Sequence, residues 1–119
     1  MKDNPLKDKS YSFAINVVNI CQKLTLSKKE FVLSKQLLRS GTSIGALVRE
    51  SEFAQSRADF ISKLSISLKE ANETIYWINL MFDTGYINKE NFDILNTKCL
   101  ELIKILVSII KTSKSKNNS

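Results

Sequence analysis

Between Gln36 and Glu50 the chain reads QLLRSGTSIGALVRE, placing Gly41 and Gly45, with three small hydroxyl residues, inside a continuous helical pattern of apolar positions. A glycine in a helix interior costs about 1 kcal/mol relative to alanine. Such a stretch stays helical only where a close neighbour offsets that cost. The next segment, Ser56 to Met81, is a near-unbroken amphipathic pattern in steps of three and four. One proline and three glycines in 119 residues leave few turns for a sheet. The two stretches together restrict the chain to packed helices, in a single domain by length.

Four helices are legible from periodicity and end signals, at about 6–24, 28–54, 57–84 and 89–112, with a polar, basic tail over 113–119. The first carries Leu6, Phe13, Val17, Ile20 and Leu24. Ser27 and Glu30 have the spacing of a capping box for the second, with Leu26 and Phe31 at the hydrophobic-staple positions. Ser56 is placed to cap the third and Gly85 to end it; Asn88 is placed to cap the fourth, with Ile87 and Phe92 as its staple. Short connections make sequence neighbours antiparallel, which predicts an all-α, up-down four-helix bundle. Folding the second helix onto the third sets Val48 against Leu64, Ile44 against Leu68, Gly41 against Ala71 and Leu37 against Ile75. Gly41 facing Ala71 would let those two backbones approach closely.

Each helix also carries a second face. Leu100, Ile103, Val107 and Ile110 make a further apolar stripe on the fourth; Phe60, Trp77 and Met81 make one on the third, interleaved with Ser67, Glu70 and Thr74. The pattern exceeds the single stripe of about 100° that a monomeric bundle needs, so self-association is expected, against the alternative of one wide core stripe. On the second helix Gln36, Arg39, Ser43 and Glu50 recur near seven-residue spacing. Glu73 stands level with Arg39, but both are expected to point away from their own seam, which favours a salt bridge between subunits over one inside the chain. A solvated polar face is the alternative.

The chain contains no histidine, which removes imidazole acid–base chemistry and most zinc sites. No phosphate-binding loop is present, because SGTSIG lies within a helix and lacks the P-loop lysine. No catalytic residue, metal ligand or cofactor is therefore expected. Cys21 and Cys99 fall on apolar stripes of different helices and are expected to be small buried hydrophobes. MKDNPLKDKSY has no apolar signal core, and the run LELIKILVSII is interrupted by charge and too short to span a bilayer, so a cytoplasmic protein without membrane association is expected.

A net charge of +6 permits an acidic partner. Only three of the eighteen basic residues are arginines, Arg39, Arg49 and Arg57, all in or just after the second helix. Guanidinium there suits bidentate bonding to carboxylates across an interface or to phosphates. Lys28, Lys29, Lys35, Arg39 and Arg49 are the candidate nucleic-acid contacts, acting on phosphate and shape, since no base-reading motif is present.

QLLRSGTSIGALVRE followed by ADFISKLSISLKEANETIYWINLM resembles the bacterial four-helix bundle proteins named for intervening sequences in 23S ribosomal RNA genes, across about Tyr11 to Ile110. Gln36, Arg39, Ser43 and Glu50, and Lys69, Glu70, Glu73 and Trp77, stand where that family often has the same residue types; Leu47 stands where many members have Asn. The resemblance implies a closed ring of five subunits, with Gln36, Arg39, Ser43, Glu50, Glu70, Glu73 and Trp77 as interface candidates. A related branch comprises accessory proteins of diversity-generating retroelements, thought to bind nucleic acid. The expected function is a non-catalytic homo-oligomer that binds structured RNA or other nucleic acid, alone or with a protein partner. The alternative is an assembly module or adaptor that touches no nucleic acid.

Overall fold

The computed structural model describes residues 4–117, and among them there are four helices and no strand. They are α1 (Pro5–Ser27), α2 (Val32–Ser51), α3 (Arg57–Asp83) and α4 (Lys89–Asn117). α1 packs on α2 and α4, α2 on α3, and α3 on α4, while the diagonal pairs do not meet. Contact order reverses along every neighbouring pair. Gly45 lies against Ser10 and Gly41 against Val17; Ser67 bonds to Ile44 and Thr74 to Ser40; Lys9 reaches Glu101 and Lys98 reaches Asn16. The result is an antiparallel bundle of 52 × 25 × 22 Å.

Each helix contributes its expected stripe to one core. Phe13 and Val17, Leu37 and Ile44, Leu64 and Ile78, and Leu95, Leu102 and Leu106 are all essentially inaccessible. Burying each such side chain is worth about 1.5–3 kcal/mol. Met81 and Ile110, expected on outer stripes, belong to this core, as do Ser67 and Thr74. The hydroxyls can be buried because they are satisfied locally. Ser67 donates to the Ile44 carbonyl at 2.9 Å, and Thr74 donates to Ser40 Oγ at 2.9 Å. Among the described residues no buried side-chain N or O lacks a partner.

The glycines serve a different seam from the one expected. A Cβ on Gly41 would sit 2.9 Å from Val17 Cγ2, so this glycine admits α1, not Ala71 of α3. Gly45 likewise brings α2 down onto the Ser10 backbone. The α2–α3 register is close to the expected one, but its inner row is built from Ser40, Ile44, Ser67 and Thr74.

Helix ends follow their caps, with two corrections. Asn4 accepts from Lys7 N ahead of Pro5, Ser56 accepts from Asp59 N, and Asn88 accepts from Asn91 N. Gly85 ends α3 at φ +83°. At the start of α2, however, Ser27 belongs to α1, and no Ser27 capping box forms. Glu30 does the capping alone, accepting from the backbone N–H groups of Val32, Leu33 and Ser34. Leu26 and Phe31 are 82% and 60% exposed, so the expected staple is absent. The chain turns instead through Lys29 at φ +51°. α2 also stops at Ser51 rather than residue 54, while α4 continues through most of the expected tail to Asn117; Asn118 and Ser119 lie outside the described residues. No helix among the described residues is long and apolar enough to cross a membrane.

Candidate functional site

The expected interface residues separate into a cluster and three bystanders. Arg39 on α2 crosses to α3, donating to Glu70 Oε1 at 3.1 Å and to Glu73 Oε2. Trp77, one turn beyond Glu73, donates its indole N–H to the same Glu73 oxygen at 3.0 Å. The salt bridge considered awkward inside the chain is thus made inside it. The guanidinium's reach explains this, since a long side chain on the flank of α2 lies down across the groove onto α3. Glu70 is the most covered of the three charged members, its side chain 17% exposed, against 48% for Arg39. Ser43 turns its hydroxyl back to the Arg39 carbonyl at 2.6 Å. Gln36 is half-buried on the same helix flank, and Glu50 is exposed at the far end of α2.

The five expected phosphate contacts do not form one patch. Lys28 is tied to the α3–α4 turn, donating to the carbonyls of Gly85 and Tyr86 at 3.0 and 3.1 Å. Lys29 occupies the left-handed corner beside it. Lys35 borders the outer groove between α1 and α2. Arg39 is neutralised by its two glutamates. Arg49 sits 6.0 Å over the Tyr11 ring, on the opposite flank of α2 and toward its other end.

Charge is instead sorted along the bundle axis. At the end formed by the α1–α2 and α3–α4 turns, Lys23, Lys28, Lys29 and Lys89 are balanced by Glu30, Asp83, Glu90 and Asp93. At the opposite end, Lys7, Lys9, Arg49, Arg57, Lys63, Lys104, Lys111, Lys114 and Lys116 face Asp8, Glu50, Glu52, Asp59 and Glu101, nine cations against five carboxylates among the described residues. Within this group Lys7 pairs with Glu52, Lys63 with Asp59, and Lys9 with Glu101. The Cys99 thiol donates to the Ala71 carbonyl at 3.4 Å, and the register this fixes sets Arg57 in the first turn of α3 level with Lys114 in α4. Arg57, Lys111 and Lys114 are exposed, and none makes an ion pair among the described residues. Of this group, the sequence singles out only Arg57; it sets Lys111 in the fourth helix and Lys114 in the basic tail, where α4 in fact continues.

Burial and hydrogen bonding shift three groups from their ordinary values. Burial raises the Cys21 thiol to about 11, with the Glu30 charge adding to the effect, and raises Cys99 to about 12. Partial burial would raise the Glu30 carboxyl, but its capped N–H groups and the Ser34 hydroxyl hold it below the usual carboxylate range. No group of three or more His, Cys, Asp or Glu side chains is placed to hold a metal among the described residues.

No curated protein matches the chain. A crystal structure of a protein of unknown function from the S23 ribosomal protein family, from Bacteroides thetaiotaomicron VPI-5482, is similar to it at 57% identity and a TM-score of 0.88, covering 89% of this chain and 98% of that one. The family model for the 23S rRNA-intervening sequence protein matches residues 2–108. With nearly its whole bundle matched, the chain belongs to the 23S rRNA-intervening sequence protein family.

Proposed function

We propose that the protein is a non-catalytic, self-associating bundle that binds structured nucleic acid through phosphate contacts at its basic end. The observation carrying this reading is the axial sorting of charge, with Arg57, Lys111 and Lys114 exposed and unopposed at one pole. Phosphate contacts from lysine and arginine supply affinity without reading sequence. Self-association is supported by α4, where Leu100 and Val107 are 48% and 45% exposed and Ile103 is half-buried beside them. A ring or other closed assembly repeats the pole in each copy and multiplies a modest patch. An assembly of five, as the family resemblance implies, belongs to this proposal.

The test is fluorescence anisotropy against a labelled hairpin RNA and a duplex DNA, titrated with salt, alongside light scattering. Binding should weaken with a log–log slope of about −0.9 per neutralised phosphate on duplex DNA. Arg57→Ala, Lys111→Ala and Lys114→Ala combined should flatten that slope by roughly 0.9 for each contact removed. An unchanged slope would move the site elsewhere, and no binding at low salt would leave an assembly module. A monomer at micromolar concentration would overturn the self-association.

A further inference from the structure

We propose that the outer groove between α1 and α2 receives an amphipathic helix from an acidic protein partner. Its floor is made of small residues, Ser10, Ala14, Thr42, Gly45 and Ala46. Gly45 keeps it low: even a Cβ there would lie 3.3 Å from the Ser10 carbonyl oxygen. Tyr11, Phe31 and Leu38 rise at its sides, 61%, 60% and 38% exposed. From Lys35 to Arg49 the groove runs about 21 Å, roughly four helical turns. It comprises two open hollows of about 250 and 300 Å³. Small-molecule sites are clefts of about 300–1,000 Å³ that enclose most of the ligand, so an elongated guest fits better than a compact one.

The charge identifies the guest. Lys35 and Arg49 line the groove without an ion pair among the described residues, Lys7 lines it while paired with Glu52, and no carboxylate lines either hollow. A second copy of this chain has little to offer those cations. Its acids are largely engaged: Glu70 and Glu73 hold Arg39, Glu101 holds Lys9, Asp93 holds Lys89, and Glu30 caps α2. Among the described residues Asp8, Glu50, Asp83 and Glu90 make no ion pair, but each lies on a different helix, so no helix presents a row of free carboxylates there. Nucleic acid would meet the cations and stack a base on Tyr11 or Phe31, but would leave Leu38 and the small-residue floor without a partner. An amphipathic helix with apolar side chains at i, i+3, i+4 and i+7 and Asp or Glu on its flanks satisfies both. This surface lies on the α1–α2 side of the bundle, away from Arg57, Lys111 and Lys114, and adjoins the basic end only at Lys7 and Arg49.

The probe is a fluorescein-labelled eighteen-residue helical peptide, about five turns long, with leucines on one face and glutamates on its flanks. Controls are a scramble of the same composition and a counterpart with lysine for glutamate. Saturable binding of the acidic peptide alone is expected. Ala46→Trp fills the floor from an exposed position and should weaken binding about tenfold, equal to 1.4 kcal/mol; Lys35→Glu with Arg49→Glu should do the same. No binding of the acidic peptide, or binding unaffected by these variants, would overturn the proposal. So would dissociation of the oligomer by Ala46→Trp, which would make the groove a self-interface. Loss of hairpin RNA affinity on Ala46→Trp would make it a nucleic-acid site and overturn it equally.

Discussion

Trp77 and Arg39, from adjacent helices, converge on a single oxygen, Oε2 of Glu73. The indole N–H and the guanidinium therefore hold one carboxylate between them, and Glu70 takes the other arm of Arg39. Arginine was expected to leave the chain at this point, and it closes the α2–α3 seam instead.

The coupling is measurable. Arg39→Ala and Glu73→Ala, singly and together, should show an interaction energy of about 1 kcal/mol in urea unfolding, the upper range for an exposed pair. Trp77 emission should shift in each single variant, because its hydrogen-bond acceptor moves or disappears. A coupling near zero would mean that water competes successfully for the guanidinium.

Gly41→Ala tests the close approach of α1 and α2. Alanine restores about 1 kcal/mol of helix propensity. Its Cβ, however, would meet a fully buried, β-branched Val17 at 2.9 Å, and overpacking of that kind costs about 1–3 kcal/mol. A net loss of stability is expected. Gly41→Ala paired with Val17→Ala should recover part of it, as read by thermal unfolding.

Glu30→Ala removes the only side-chain cap of α2 and should cost about 0.5–2 kcal/mol. The same cap predicts an acid limb. The folded-state pKa of Glu30 lies below its unfolded value, so its contribution is complete above the ordinary glutamate pKa of about 4.3 and disappears as pH falls through the depressed folded value. Wild type and Glu30→Ala should therefore converge in stability as pH drops below about 4.

Cys21 and Cys99 should resist alkylation in the folded protein at pH 8. Both are 4% exposed or less, and burial holds their thiols near 11 and 12. Iodoacetamide labelling followed by mass spectrometry should find neither modified in buffer and both modified in denaturant. Labelling of Cys21 alone in buffer would show that the α1–α2 groove opens, because Cys21 lines it.

Helix positions were legible because each stripe repeats for several turns, and Ser56, Gly85 and Asn88 are local signals that act within four residues. The start of α2 was misread because Ser27–Glu30 satisfies the spacing of a capping box, while the chain prefers to finish α1 first and turn through Lys29. Facing partners were harder. Periodicity says that Gly41 is inward, but not whether α1 or α3 fills the space. Ser67 and Thr74 looked outward-facing because their polarity hides the carbonyl and hydroxyl waiting across the seam. The basic pole was invisible as a unit, since it joins residues from all four helices and depends on α4 staying helical beyond residue 112.

That pole also gives the bundle an electrical direction. The screening length at physiological salt is about 8 Å, whereas the molecule is 52 Å long. A polyanion approaching the balanced end meets almost no field, and one approaching the other end is drawn in before touching. Encounters with the nucleic acid proposed above would thus be oriented by diffusion itself, with the long axis turned toward it before any side chain makes contact.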